Sequence, residues 1–129
     1  MRKLKKLICS VLLLAFAMSF TAFATDIIPA SSDEFQKTSA TLVSSSSLTI
    51  SFNVVTRSYS SELGISKVIL HDMTSGDTLK YSPDKMSSGY TYSSRISLSG
   101  ATTGHKYYAD VTFYADGLTK TVQTNTITY

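Results

Sequence analysis

The side chains that could do chemistry are two histidines, His71 and His105, with scattered carboxylates and a large number of serine and threonine hydroxyls. A Ser-His-Asp triad could be written from His71 and Asp72 with many different hydroxyls, but a triad is defined by its geometry and not by composition. The sequence contains no G-x-S-x-G, H-E-x-x-H or phosphate-loop motif. These observations predict a protein that is not an enzyme.

Metal ligands are equally sparse. Zinc sites are built from several His and Cys side chains, and beyond the two histidines the chain offers only Cys9. Calcium is bound by several converging oxygens. Asp72, Asp77 and Asp84 lie in neighbouring turn-like segments, yet no EF-hand loop motif occurs. We therefore expect neither a metal nor a cofactor.

The first 24 residues are organised like a secretory signal peptide. A basic segment, residues 2–6, precedes an apolar run from Leu7 to Phe20, and Ala22-Phe23-Ala24 has the small-residue pattern of a cleavage site. The apolar run is short for a membrane span, although an uncleaved signal anchor is the alternative. We expect cleavage after Ala24, no membrane span after it, and a secreted, extracellular product.

Removing this leader changes the charge of the protein. The whole chain has 12 basic and 9 acidic residues. Four basic residues lie in the leader, so residues 25–129 keep 8 basic and 9 acidic ones, a net charge of about −1. Without a basic patch we expect no nucleic-acid partner. The only cysteine is also in the leader, so the mature protein has no disulfide and depends on its hydrophobic core.

The elements that must position the remaining side chains are β-strands. Alternation is strictest over residues 48–54, where Leu48, Ile50, Phe52 and Val54 share one face. We expect residues 25–36 to form an N-terminal arm and residues 37–129 to form one domain. The predicted strands are 37–43, 48–54, 65–71, 78–82, 90–98, the two strands of a hairpin within 104–122, and a final stretch at 124–129. Segments 57–64, 72–77 and 84–89 are predicted turns or loops. Seven strands at this spacing are typical of an antiparallel β-sandwich.

The hairpin is the strongest local signal in the chain. Asp116-Gly117 is typical of a type I′ turn, which needs positive φ at both central residues. A two-residue turn pairs Tyr114 with Thr119 and Val111 with Val122. The last strand then falls out of phase, which either a bulge near Asn125 or a three-residue loop that includes Ala115 would correct. In the strand at 65–71 the charged positions favour Val68 and Leu70 as the inward side chains.

Three segments resemble fibronectin type III-like and immunoglobulin-like domains: LTISF (48–52), ISKVIL (65–70) and LSGATTGHKYYADVTFYADG (98–117). The resemblance implies a single antiparallel β-sandwich of about seven strands, with Tyr107 as its tyrosine-corner residue. Phe52 stands where fibronectin-type domains commonly have Trp. ISFNV, GISKVIL and GHKYYADVTFYADG also resemble a group of small secreted proteins of Gram-positive bacteria, which implies an extracellular location.

A surface is the better functional candidate. If Tyr107 and its inward neighbours face the core, the outward side chains of the hairpin form a face that the strand at 65–71 extends. The predicted binding residues are Tyr108, Asp110, Thr112, Tyr114, Lys67, Ile69 and His71. Tyrosine is enriched at binding surfaces because it combines apolar area with a hydrogen-bonding tip. Tyr59 in segment 57–64 is an alternative contact.

The sequence therefore predicts a secreted, non-catalytic binding module. Its partner is expected to be an extracellular protein or glycan, and the sequence does not define the ligand or the oligomeric state. Two alternatives stay open. One is a bacteriocin-like secreted protein that acts on competitors, and the other is a structural protein that associates with itself.

Overall fold

The computed structural model describes residues 34–129. The predicted signal peptide, residues 1–24, and most of the predicted arm lie outside the described residues. The described part consists of seven strands: β1 (Phe35–Ser44), β2 (Leu48–Asp72), β3 (Thr78–Tyr81), β4 (Lys85–Leu98), β5 (Lys106–Ala115), β6 (Leu118–Gln123) and β7 (Ile127–Thr128). They form one antiparallel sheet, so the prediction of an all-β antiparallel domain with about seven strands is confirmed.

β2 is the centre of this sheet. Its first part pairs with β1 on one edge and with the second half of β4 on the other. Its second part pairs with β5, while the start of β4 and then β3 continue along the opposite edge. One strand of 25 residues therefore holds four others in register.

The predicted loop at 57–64 is wrong, because β2 continues through it. The register shifts twice here, between Val55 and Ser60 and between Ser60 and Leu63. Such bulges insert extra residues and bend a strand without ending it. Ser60 lies opposite Gly89, so the predicted loop at 84–89 is also largely strand, and only Asp84 precedes β4. Polar and glycine-rich composition suggested turns, but long-range pairing between these two segments holds both extended.

Gly64 permits the closest approach between β2 and β4. A Cβ atom at this position would lie 1.8 Å from the main-chain oxygen of Lys85, which is far inside van der Waals contact. The main chain of β4 can therefore pair here only with a glycine on β2.

The hairpin confirms the local prediction. Asp116 and Gly117 have φ values of 44° and 92°, as the type I′ turn requires. Tyr114 lies opposite Thr119, and Val111 lies opposite Val122. β5 and β6 meet directly at the turn, since Ala115 pairs with Leu118, so the alternative three-residue loop is wrong.

The last strand is displaced by one residue. Continuing the hairpin register would set Tyr107 opposite Thr126, but it pairs with Ile127 of β7. The extra residue lies in segment 124–126, which confirms the predicted bulge near Asn125. Asn125 uses its amide to bind β1: its oxygen accepts a hydrogen bond from the Leu42 N–H (2.7 Å), and its nitrogen donates to the Leu42 carbonyl (3.2 Å).

The Asp116 carboxylate connects the hairpin turn to the bulged part of β2. Its two oxygens accept hydrogen bonds from the consecutive main-chain N–H groups of Ser61 (3.0 Å) and Glu62 (2.8 Å). The main-chain N–H of Asp116 in turn donates to the Glu62 carbonyl at 3.0 Å. The turn therefore supplies acceptors for two N–H groups that lie beside the register shift.

The core is one cluster of buried side chains from β1, β2, β4 and β5. Phe52 of β2 contacts Tyr92 of β4 edge to face (5.4 Å between ring centroids) and Phe113 of β5 (6.2 Å). Phe35, within the segment expected to be the arm, is 4% exposed and belongs to this cluster. The predicted inward side chains Val68 and Leu70 are fully buried.

We predict that Gly64→Ala destabilises the fold by about 1–3 kcal/mol or more, because the added methyl group meets the main chain of β4, which cannot rotate away. Urea unfolding followed by circular dichroism measures the loss. Ser61→Ala, an exposed position three residues earlier on the same strand, is the control and should change stability by less than about 0.5 kcal/mol. Equal stability of the Gly64→Ala variant and the parent would contradict the close approach.

Candidate functional site

The structure brings the seven predicted binding residues together on two adjacent strands. Lys67 lies opposite Thr112, Ile69 opposite Asp110, and His71 opposite Tyr108. Tyr114 continues the row along β5, opposite Gly64. Each of the seven side chains is partly or fully exposed. We call this surface the β2–β5 face; its members are Lys67, Ile69, His71, Tyr108, Asp110, Thr112 and Tyr114.

A change of phase in β2 sets which side chains reach this face. The β2–β5 register shifts between Ile65 and Lys67, so Ile65 and Val68 are both fully buried although they are three residues apart. After the shift, strict alternation resumes and places Lys67, Ile69 and His71 outward. On β5 the alternation is unbroken from Tyr107 to Ala115, with every second side chain buried.

His71 has two partners within the face. Its Nε2–H donates a hydrogen bond to the Asp110 carboxylate at 2.8 Å, and its ring stacks on Tyr108 with 4.5 Å between centroids and 9° between planes. The side chains of His71 and Asp110 keep 26% and 34% of their surface exposed. Two partners therefore fix the imidazole while leaving an accessible aromatic and acidic patch.

The two tyrosines carry hydrogen-bonding groups that stay available. Within residues 34–129, neither the Tyr108 nor the Tyr114 hydroxyl has a hydrogen-bond partner, whereas the Tyr107 hydroxyl accepts one from the Thr102 N–H at 2.7 Å. Tyr107 is buried and Tyr108 is half exposed. Of these two adjacent tyrosines, Tyr107 therefore lies in the core and Tyr108 lies on the surface. The Tyr107 hydrogen bond connects the loop before β5 to that strand.

The face extends onto strands that the sequence reasoning did not include. On β6, Thr121 and Gln123 lie opposite Thr112 and Asp110, and the Thr112 and Thr121 hydroxyls share a hydrogen bond of 3.0 Å. On β3, Thr78 lies opposite His71. The β6 residues follow directly from the predicted hairpin register. The β3 residues were not identifiable, because nothing local indicates which edge of β2 that short strand joins.

The second histidine belongs to a separate cluster, at the end of β2. His105 donates from Nδ1 to the Asp72 carboxylate at 2.7 Å, and the other carboxylate oxygen accepts the N–H groups of Thr74 (2.9 Å) and Ser75 (3.0 Å). Partial burial raises the pKa of Asp72, but the hydrogen bonds from His105, Ser75 and Thr74 outweigh it and hold the pKa well below its usual value of 3.8. This arrangement fixes the β2–β3 turn against the loop before β5.

Tyr59, the predicted alternative contact, lies in the bulged part of β2 and not in a loop. It is 59% exposed and meets Tyr90 of β4, which is 56% exposed, edge to face at 5.9 Å between centroids. This pair is a second exposed aromatic feature that shares no residue with the β2–β5 face.

Residues 34–129 contain no group of three or more His, Cys, Asp or Glu side chains placed to hold a metal ion, and Asp72, Asp77 and Asp84 do not form one. In the same part of the chain, no helix has the length and apolar character that crossing a membrane requires. In comparisons with known proteins, no family model, no curated protein and no solved structure matches the chain.

We predict that the Asp72 cluster makes the fold sensitive to acid. A carboxyl group whose pKa is lower in the folded state stabilises the fold above its unfolded-state pKa of 3.8, and this stabilisation is lost as the pH falls below that value. Asp72→Asn should therefore be less stable than the parent at neutral pH and should lose less stability on acidification to a pH of about 3. Thermal unfolding at both pH values measures this.

The matched control for this experiment is Asp77→Asn in the same turn. The Asp77 carboxylate has no hydrogen-bond partner among residues 34–129, so this variant should follow the parent at both pH values. If the Asp72→Asn variant loses as much stability on acidification as the parent does, Asp72 is not the source of the acid sensitivity.

Proposed function

We propose that this chain is an exported, non-catalytic binding module whose β2–β5 face contacts an extracellular protein or glycan. The observation that carries the proposal is the packing of one face: a stacked His71–Tyr108 pair, the Asp110 carboxylate and the Tyr114 ring lie together on two hydrogen-bonded strands. The alternation of the sequence predicts these residues on one face, and they lie on two strands that pair with each other.

The face suits a large partner. Its members lie side by side on two paired strands of a sheet and present aromatic rings, a carboxylate, a lysine and hydroxyl groups. Small-molecule sites, by contrast, are usually concave and enclose most of the ligand. Because the strands are hydrogen-bonded and His71 is held by two neighbours, binding orders few additional side chains, which reduces the entropic cost of association.

Export is proposed from the leader sequence. Residues 1–24 have the charge, apolar core and small-residue site of a signal peptide. An extracellular domain without cysteines has to be stable without disulfides, and the continuous core across β1, β2, β4 and β5 meets that need.

We propose further that the sheet folds over itself as a β-sandwich of the fibronectin type III or immunoglobulin type. Phe52 lies in the first part of β2, and Phe113 lies on β5, which pairs with the second part of β2, yet the two rings contact each other in the core. Asn125 binds the main chain of β1. These contacts support two packed layers. The Tyr107 hydroxyl bond to the upstream residue Thr102 supports a tyrosine corner, which is a feature of such sandwiches.

We predict that the double variant Tyr108→Ser/Tyr114→Ser weakens binding to cell-surface material by at least about tenfold, which corresponds to about 1.4 kcal/mol. The measurement is retention of the purified protein on washed cell-wall preparations and on an array of purified glycans, with a protein-partner screen by cross-linking on intact cells. The melting temperature should change little, because both rings lie outside the core.

The matched control is Tyr59→Ser/Tyr90→Ser, which removes two exposed tyrosines from outside the face. It should keep full binding. If this control loses binding and the Tyr108/Tyr114 variant keeps it, the contact surface is the Tyr59–Tyr90 pair and the assignment of the face is wrong. Concentration-dependent mass in sedimentation would favour the self-associating alternative, and growth inhibition by the purified protein would favour the bacteriocin-like one.

A further inference from the structure

A cleft of about 630 Å³ lies beside the connection between β3 and β4, separate from the seven residues of the β2–β5 face. The lining residues come from the end of β3, the short connection, and both the beginning and the later part of β4. They are Lys80, Tyr81, Ser82, Pro83, Lys85, Arg95, Ile96 and Ser97. Its volume is within the range of small-molecule sites.

All the charged residues that line the cleft are positive. Lys80, Lys85 and Arg95 contribute three positive charges, and none of the lining residues is a carboxylate. Within residues 34–129, none of the three forms a salt bridge with Asp or Glu. Lys80 and Arg95 are exposed and Lys85 is partly exposed, so an anion bound in the cleft would gain the attraction of three positive charges that line it.

The fold brings these cations together from distant points of the sequence. Lys80 lies on β3, which pairs with the second part of β2, whereas Arg95 lies opposite Ser51 in the first part of β2. Tyr81 closes the distance between the two strands, because its hydroxyl donates a hydrogen bond to the Ser99 carbonyl just after β4. Burial, together with the nearby Tyr107, raises the pKa of Tyr81.

We infer that this cleft binds a phosphate ester of sugar size. A phosphate group carries about −1.5 to −2 charges at neutral pH and three acceptor oxygens, which suits a cleft lined by three cations better than a single carboxylate does. The planar fork of an arginine and the ammonium groups of lysines are the usual donors to phosphate oxygens. Because the cleft is much larger than a phosphate ion, the exposed Ser82 and Ser97 hydroxyls and the partly exposed Tyr81 ring are available for the attached sugar.

The site stands independently of the proposed binding face. Lys85 and Arg95 lie on β4, outside that face, whereas Lys80 lies opposite its member Ile69 and is therefore left unchanged in the variants. Loss of anion binding and loss of partner binding can therefore be separated by variants on different strands, and failure of either proposal leaves the other open to its own test.

The experiment is calorimetric titration of the purified protein with glucose 6-phosphate, glucose, glucuronate and inorganic phosphate. We expect saturable binding of glucose 6-phosphate, no binding of glucose, and weaker binding of glucuronate and inorganic phosphate. Lys85→Gln/Arg95→Gln should weaken glucose 6-phosphate binding at least about tenfold, since two of the three charges are removed. Lys37→Gln, an exposed lysine on β1, should bind like the parent.

A second variant, Lys85→Arg/Arg95→Lys, keeps both charges and should retain most of the binding, which separates loss of charge from loss of fold. Absence of saturable glucose 6-phosphate binding by the parent overturns the inference, and so does unchanged affinity in the double glutamine variant. Equal affinity for glucuronate would show that the site does not select phosphate. Equal affinity for inorganic phosphate would show that it does not use the sugar.

Discussion

The fold depends on β2, a single strand that changes partners along its length. β1 and β5 follow one another along one of its edges, and β4 and β3 follow one another along the other. Because side chains alternate with a period of two, a slip of one residue in β2 would turn its buried side chains outward. The register shifts near Ser60 and Ser66 are therefore part of the architecture, since they set which residues face the core after each change of partner.

Both candidate sites are consequences of that strand. The β2–β5 face exists because the second register shift returns Lys67, Ile69 and His71 to the outside next to the outward residues of β5. The cleft is lined by β3, by the connection to β4, and by the beginning and the later part of β4, two strands that pair along the opposite edge of β2. One site lies on a face of the sheet, and the other lies along an edge.

Local sequence patterns were sufficient to predict the elements that are determined by neighbouring residues, such as an alternating strand or a two-residue turn. Strict alternation predicted the strand at 48–54, and the Asp116-Gly117 dipeptide predicted the hairpin turn and its register. That register left the last strand out of phase, with a bulge near Asn125 as one of two possible corrections. The patterns failed at 57–64 and 84–89, where serine and glycine suggested turns but cross-strand pairing keeps the chain extended. The cationic cleft was not predicted either, because Lys80 and Arg95 pair with β2 residues that lie eighteen positions apart, Ile69 and Ser51. Their proximity depends on the three-dimensional path of β2 and not on any local pattern.

Asp116 satisfies two requirements that are usually independent. As the first residue of a type I′ turn it must tolerate positive φ, which asparagine and glycine also do. As the acceptor for two consecutive N–H groups of β2 it must offer an oxygen on each side, which only a carboxylate of this length provides. Replacing the Asp-Gly turn by the more common Asn-Gly would keep the shape of the hairpin. It would remove one of the two oxygens that accept hydrogen bonds from the N–H groups of β2. The turn is thus an anchor for the bulged part of β2 as well as a reversal of the chain.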